Sequence, residues 1–94
     1  RPQLLATNRH VSCGGVDLAD VAWRDGTLSG QSDLVANDTY EVYLTEPPGW
    51  RFVDAAAEGA ELVGSERSDA VRVVRLRAAQ AIRAAWRVRW ERGG

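Results

Sequence analysis

Hydrophobic and polar residues alternate most regularly over residues 81–91, which read AIRAAWRVRWE. A strand turns successive side chains to opposite faces, so this spacing predicts a strand with one apolar face and one face rich in guanidinium groups. The apolar face would hold Ile82, Ala84, Trp86, Val88 and Trp90. A helix over 76–90 is the alternative, since alanine is the best helix former, but it would leave Ile82 and Val88 off the apolar stripe. We therefore predict a core strand with one buried face and one solvent-exposed face.

The first part of the chain predicts a hairpin. Residues 16–23 fit one strand with a bulge near Ala19, which would let both halves of the strand face the same core. Asp25 and Gly26 form the pair that favours a tight hairpin turn. Residues 27–32 return from this turn as a polar strand, and such a strand suits the edge of a sheet.

Residues 39–45 give the clearest alternation of the first half, with Tyr40, Val42 and Leu44 on the core side. The Pro-Pro-Gly sequence that follows ends this strand, because proline cannot donate a hydrogen bond to a ladder. A strand restarts at 50–53, and residues 55–57 form either a helical turn or a strand of small residues. A brief strand at 61–63 and a polar loop at 65–69 follow. The next strand covers 71–77 and has a change of phase at Val73 and Val74.

Short strands separated by turn signals, without a long helical pattern, predict the fold class. It is all-β, an immunoglobulin-like antiparallel β-sandwich of seven or eight strands. The Cys, Trp, Cys spacing of true immunoglobulin domains is absent, so the likeness concerns architecture only. The 94 residues suffice for a single domain over 1–94. No apolar run approaches the ~20 residues of a membrane-spanning helix, so no membrane span is predicted.

The composition and the first residues predict that the chain derives from a longer polypeptide. It contains no Met and begins with Arg1, Pro2 and Gln3, so we expect a processed product or a segment of a longer polypeptide. No signal peptide is visible and Cys13 is single, so neither feature fixes the compartment. A secreted or periplasmic location is favoured.

Charge is distributed unevenly along a chain whose formal total is -1. Residues 1–47 hold three Arg and seven acidic residues, whereas residues 71–92 hold seven Arg and one acidic residue. One end of the fold should therefore be electropositive, and clustered arginines can follow a nucleic-acid backbone. The negative total argues against a nucleic-acid partner. We expect these arginines to pair instead with Glu58, Glu61, Glu66 or a neighbouring domain.

Few residues have the types that catalysis or metal binding needs. His10 and Cys13 are the only His and Cys, and with Asp17 nearby they still fall short of a zinc site. His10, Ser12 and Asp17 supply the types of a nucleophilic triad without a nucleophile elbow. The carboxylates, Glu46 among them, are expected to be solvated. We predict no metal, no cofactor and no catalytic site, so the chain alone would not be an enzyme.

Trp50 and Tyr43 are the candidate binding residues. Trp50 follows the Pro-Pro-Gly corner, where an indole either stacks on a sugar ring or plugs the end of the sandwich. Tyr43 would lie on the outer face of its strand, so the two rings could stand near one another. Hydrogen bonds to sugar hydroxyls would then come from Glu41, Glu46 or Arg51.

Two segments carry a family resemblance. Residues 28–51, LSGQSDLVANDTYEVYLTEPPGWR, together with residues 86–90, WRVRW, resemble the C-terminal β-sandwich modules that accompany bacterial carbohydrate-active enzymes. The two segments hold 24 and 5 of the 94 residues. It implies a non-catalytic domain that packs against or positions a neighbouring glycosidase domain, with Tyr43, Trp50 and Arg51 in the contact. The alternative is a carbohydrate-binding module that uses Trp50 and Tyr43.

Overall fold

The computed structural model of the chain describes residues 1–7 and 18–93. Within these ranges there are eight strands and no helix. The strands form two antiparallel sheets of four strands each. The strands are β1 (Leu4–Thr7), β2 (Leu18–Arg24), β3 (Thr27–Leu34), β4 (Thr39–Thr45), β5 (Trp50–Glu58), β6 (Glu61–Ser68), β7 (Val71–Arg77) and β8 (Ile82–Arg92). Sheet A has the order β1-β4-β7-β6, and sheet B has the order β2-β3-β8-β5. The predicted all-β antiparallel sandwich is confirmed.

The two sheets enclose one hydrophobic core, and alternate residues of the inner strands supply it. Its buried members are Leu28, Leu34, Tyr40, Val42, Leu44, Val74, Leu76, Ala78, Ala84, Trp86, Val88 and Trp90. β8 pairs with β3 on one side and with β5 on the other, so it lies at the centre of sheet B. The predicted core strand is therefore confirmed, and the helical alternative over 76–90 is wrong.

β3 is an interior strand between β2 and β8, so the prediction of an edge strand is wrong. Two of its buried positions are occupied by Gly30 and Ser32. A Cβ atom on Gly30 would lie 2.6 Å from Cζ2 of Trp86. The Nε1–H group of Trp86 donates a hydrogen bond of 2.9 Å to Oγ of Ser32. The strand looks polar in sequence because its small residues make room for this indole.

Gly30→Ala should therefore lower the free energy of unfolding, by about 1 to 3 kcal/mol, because the added methyl group overlaps the indole of Trp86. The effect is opposed by the usual gain of about 0.5 to 1 kcal/mol when alanine replaces glycine in a strand. Denaturant titration measures the difference. Ser29→Ala, on the outward face next to it, is the matched control and should stay within about 0.5 kcal/mol. Equal stability of Gly30→Ala and the unchanged chain would contradict the close contact.

The hairpin between β2 and β3 has the predicted turn. Asp25 and Gly26 both have positive φ, 51° and 83°, as a type I′ turn requires. The register of β2 against β3 shifts between Ala19 and Ala22, which confirms the predicted bulge. Residues 16 and 17, where this strand was predicted to begin, lie outside the described residues.

Strand bounds and register decide three predictions in the second half of the chain. Residues 55–57 belong to β5, which decides the alternative between a helical turn and a strand in favour of the strand. β6 runs through to Ser68, so the predicted loop over 65–69 is wrong and the turn to β7 is short. The predicted change of phase in β7 is also wrong, because β4 and β7 pair without a shift. The alternation in β7 is unbroken, and one of its inward positions is occupied by Arg72.

Candidate functional site

Three indoles meet at one end of the sandwich, and we call Trp23, Trp50 and Trp90 the indole cluster. They come from near the end of β2, the start of β5 and near the end of β8. The ring centroids of Trp23 and Trp50 are 5.3 Å apart at an interplanar angle of 88°, and those of Trp23 and Trp90 are 6.2 Å apart at 31°. Edge-to-face packing of this kind stabilises aromatic pairs. Trp50 therefore plugs the end of the core and does not project from a loop tip.

Arginine side chains lie over the two partly buried rings of the indole cluster. Cζ of Arg1 is 5.3 Å from the ring centroid of Trp23, and Cζ of Arg92 is 5.0 Å from that of Trp50. Both distances suit a cation–π interaction. One face of each indole is thus already occupied by a guanidinium group.

A buried carboxylate, Glu46, lies beside the indole cluster and is only 2 % exposed. Its Oε1 accepts hydrogen bonds from Nε1 of Trp90 at 2.7 Å and from Nε of Arg72 at 2.9 Å. Its Oε2 accepts a bond of 3.2 Å from Nη2 of Arg72, and Nε of Arg67 lies 3.2 Å away. The guanidinium of Arg72 also stacks over the ring of Phe52 at 4.0 Å. We call Glu46, Arg67 and Arg72 the buried ion cluster.

The environment keeps Glu46 ionised. Burial by itself would raise the pKa of this carboxyl, but hydrogen bonds from Arg72 and Trp90 and the charges of Arg72 and Arg67 outweigh it, so the pKa is lowered. A carboxylate with both oxygens engaged cannot serve as a general acid or reach a sugar hydroxyl. The expectation that Glu46 is solvated is wrong, and its role in this structure is to hold the two sheets together.

Low pH should decrease the free energy of unfolding, because it protonates Glu46 and Glu41. Hydrogen bonds from Tyr43 and Arg75 lower the pKa of Glu41. A carboxyl with a lowered folded pKa stabilises the fold above its unfolded pKa, and that contribution is lost as pH falls through the folded value. We expect a nearly constant urea midpoint above about pH 5 and a clear decrease below about pH 4. Glu41→Gln, which leaves the buried ion cluster intact, should retain most of this decrease. A midpoint that stays level down to about pH 3 would refute the assignment.

Tyr43 lies on the outer face of sheet A, within a polar network. Its hydroxyl donates a hydrogen bond of 2.6 Å to Oε1 of Glu41, and this bond, together with burial, raises the pKa of the phenol. Arg75 donates to Oε2 of Glu41 at 2.9 Å and pairs with Glu66 at 2.6 Å. Trp50 belongs to the other sheet and packs against the core. The structure thus does not place the rings of Tyr43 and Trp50 on one platform, because β4 and β5 join different sheets.

The outer face of sheet B combines arginines and carboxylates in cross-strand pairs. Arg83 pairs with Asp33 at 3.1 Å, and Arg89 pairs with Asp54 at 2.9 Å. The other two pairs are Arg87 with Glu58, at 3.8 Å, and Arg51 with Glu91. The arginines of this face are balanced by carboxylates, because β3 and β5 flank β8 and supply acidic residues. The electropositive end stays a prediction. Two of the predicted acidic partners, Glu58 and Glu66, do pair with arginine.

The described residues contain no group of three or more His, Cys, Asp or Glu that could hold a metal ion. His10, Cys13 and Asp17 lie outside residues 1–7 and 18–93, so the predictions made on them stay predictions. No helix long and apolar enough to cross a membrane occurs in those two ranges.

Comparison of the chain with protein-family models, with curated proteins and with solved structures finds no match in any of the three. The class that the fold and the site define is a small antiparallel β-sandwich domain with an aromatic end and a buried ion cluster.

Proposed function

We propose that the chain is a non-catalytic accessory domain that packs against and positions a neighbouring domain, with a glycoside hydrolase as the expected parent protein. The observation that carries the proposal is that both ends of the described chain converge on the indole cluster. Arg1 lies over Trp23 and Arg92 lies over Trp50.

Backbone hydrogen bonds fix both chain ends beside the turn between β4 and β5. The N–H group of Gly93 donates to the carbonyl of Gly49 at 2.8 Å. The N–H group of Thr45 donates to the carbonyl of Gln3 at 2.7 Å, and that of Gln3 donates to Oγ1 of Thr45 at 2.7 Å. Any chain that continues from either end leaves the sandwich at this place. A domain tethered there is held at high effective concentration next to the indole cluster.

The chemistry of the indole cluster suits contact with another protein. Aromatic residues and arginine are enriched in protein interfaces, where a large ring buries much area and loses little side-chain entropy. Trp23 and Trp50 are partly buried by the domain itself, so a partner would complete their burial. Arg1 and Arg92 would become part of that contact.

A carbohydrate-binding module that uses Trp50 and Tyr43 is the second candidate. The guanidinium of Arg92 covers one face of Trp50, and Tyr43 lies on the other sheet. These positions favour docking, because a sugar ring on Trp50 would need Arg92 to move and would not meet Tyr43. The likeness to immunoglobulin domains, the bacterial origin and a secreted or periplasmic location remain parts of the proposal.

The absence of catalysis is the simplest part to test. Glu46, the buried carboxylate, is fully engaged by Arg72, Arg67 and Trp90 and is unsuited to proton transfer. We expect no turnover of glycoside or ester substrates by the purified 94-residue chain. Turnover that disappears in His10→Ala would show that the domain is an enzyme.

Docking is tested with the product of the complete open reading frame. The remainder of that product, expressed separately, should bind the 94-residue chain, and Trp50→Ala should weaken binding about tenfold or more. Tyr43→Ala, on the outer face of sheet A, is the matched control and should leave the affinity unchanged. A reading frame without another folded domain, or binding that survives Trp50→Ala, would contradict the proposal. Saccharide binding that is lost with Trp50 would support the second candidate.

A further inference from the structure

β5 is the last strand of sheet B on one side, and one of its edges has no partner strand. It pairs with β8, and within the described residues no strand pairs with its other edge. An unpaired strand edge presents a row of backbone N–H and C=O groups to which another strand can be added. The nine residues of β5 include no Pro and no Lys, which are two of the residues that usually protect such an edge. β5 is therefore open to strand addition.

The apolar side chains beside this edge are incompletely covered. Leu62 of β6 lies opposite the buried Leu76 and so faces inward, yet it is 37 % exposed. Val63 next to it and Val53 of β5 are exposed as well. β6 is the last strand of sheet A on this side, and sheet B ends at β5. A further strand on the free edge of β5 would extend sheet B and cover these side chains.

A bulge in β5 places Arg51 and Glu58 on the same face of sheet B. Residues an odd number of positions apart in a regular strand point to opposite faces, but the register of β5 against β8 shifts within 52–54. Arg51 pairs with Glu91 on the outer face. Glu58 lies on that face too, 3.8 Å from Nη1 of Arg87, which is beyond hydrogen-bond range. The side chains of Arg51 and Glu58 are 71 % and 78 % exposed, so both can reach a neighbouring strand.

These positions make β5 complementary to a second copy of itself. In an antiparallel pair with its two-fold axis at Ala55, Arg51 of each copy lies opposite Glu58 of the other. The bulge accounts for the extra residue between Arg51 and the axis. Phe52 and Ala57 both face inward, and the same register places the ring of one copy against the small side chain of the other. Charge and size therefore match on both faces of the pair.

The unpaired edge of β6 is less suited to self-pairing. Its arginine, Arg67, lies 3.2 Å from the buried carboxylate of Glu46 and donates a hydrogen bond of 2.8 Å to the carbonyl of Asp69. An arginine held in this way does not reach a strand added outside β6. The self-complementary edge on this side of the sandwich is that of β5.

We infer that the free edge of β5 joins two copies of this domain into a symmetric dimer, in which the two sheets B form one continuous sheet. Arg51 and Glu58 pair twice across the axis, and Val53 and Leu62 become covered. The edge of a single nine-residue strand is smaller than a standard interface of about 1,600 Å², so the dimer should be weak. The inference does not rest on the docking function, which uses the indole cluster at the end of the sandwich.

Sedimentation equilibrium of the 94-residue chain tests this dimer. Between about 10 µM and 1 mM, the weight-average mass should rise from 10.3 kDa toward twice that value. Arg51→Glu and Glu58→Arg should each weaken association about tenfold or more, because each places two pairs of like charges across the axis. Arg24→Glu, the same charge change on β2 at the opposite edge of sheet B, is the matched control and should change the affinity less than about twofold.

An equimolar mixture of Arg51→Glu and Glu58→Arg should associate again. Each altered residue of one chain then meets an opposite charge on the other chain, and this result requires the antiparallel register centred on Ala55. Concentration-dependent amide shifts in heteronuclear NMR should lie in β5 and β6. Restored association also excludes misfolding as the cause of the loss in the single variants.

A mass that stays at that of one chain up to about 1 mM would overturn the inference. It is also overturned by a dimer that survives both charge reversals, or by a mixture that stays monomeric although each variant keeps the circular dichroism of the unchanged chain. Self-association that is lost with Trp50→Ala and retained in both charge reversals would assign the contact to the indole cluster and refute a role for β5. None of these results decides whether the rest of the parent protein docks on the indole cluster.

Discussion

Replacing Glu46 by glutamine should lower the free energy of unfolding by about 3 to 5 kcal/mol, because Arg72 is left buried without its charge partner. Arg72 has a side-chain exposure of only 13 %, and a glutamine amide oxygen could accept only one of the two hydrogen bonds that its guanidinium donates to Glu46. The loss would be a large share of the roughly 5 to 14 kcal/mol expected for a domain of this size. Urea titration at neutral pH measures it.

Two further variants make the result specific to the buried ion cluster. Glu66→Gln removes a carboxylate that pairs with Arg75 at an exposed position and should cost less than about 1 kcal/mol. Replacing Glu46 and Arg72 together by leucine and methionine should cost less than the sum of the two single replacements, because no buried charge is left unpaired. Additive single and double losses would show that Glu46 and Arg72 do not act as a pair.

Trp86→Ala should cost about 3 to 5 kcal/mol, because it empties the largest buried volume in the core. Trp86 is 2 % exposed and fills the space left by Gly30 on the neighbouring strand. It also leaves Ser32 without its indole donor. Trp86→Phe also lacks the indole N–H group but keeps a ring, so it should lose less, and the difference between the two variants measures the packing of the ring.

Trp50→Ala is the comparison for this prediction. Trp50 is only partly buried at the end of the sandwich, so its removal should cost clearly less than that of Trp86. Denaturant titration of both variants under the same conditions gives the ranking. A loss below about 1 kcal/mol for Trp86→Ala would be incompatible with the position of its indole in the core.

Strict alternation explains why much of the fold could be predicted. In β4 and over residues 84–90 of β8 every second residue is apolar and buried, and an Asp-Gly pair specifies the turn between β2 and β3. The prediction that β3 is an edge strand is wrong because inward residues need not be apolar. Gly30 and Ser32 face inward and leave room for Trp86. The hydrophobic pattern alone does not show which side chain of a neighbouring strand fills the space beside a small residue.

The candidate site was less predictable, because it depends on contacts between distant residues. Arg72 interrupts the apolar spacing of β7, so the sequence pattern predicts a change of phase there and not an arginine that faces the core. Only the proximity of Glu46, 26 residues away, makes that arginine acceptable. Tyr43 and Trp50 are close in sequence, but β4 pairs with β7 while β5 pairs with β8, so the sheets separate them. The local hydrophobic pattern of a strand does not predict which other strand it pairs with.

The central place of β8 in sheet B also determines when that sheet can form. β8 supplies the partner for all eight residues of β3 and for most of β5, and Thr27 meets Arg89 across the longest of these loops. Until residues 82–92 have left the ribosome, β3 and β5 have no strand between them, and the indole of Trp86 cannot enter the core. Non-local pairing of this kind slows folding, because the entropy cost of closing the long loop comes before its stabilising contacts form. Sheet B is therefore completed last during synthesis, and the exposed edges of β3 and β5 depend on the final strand for their protection.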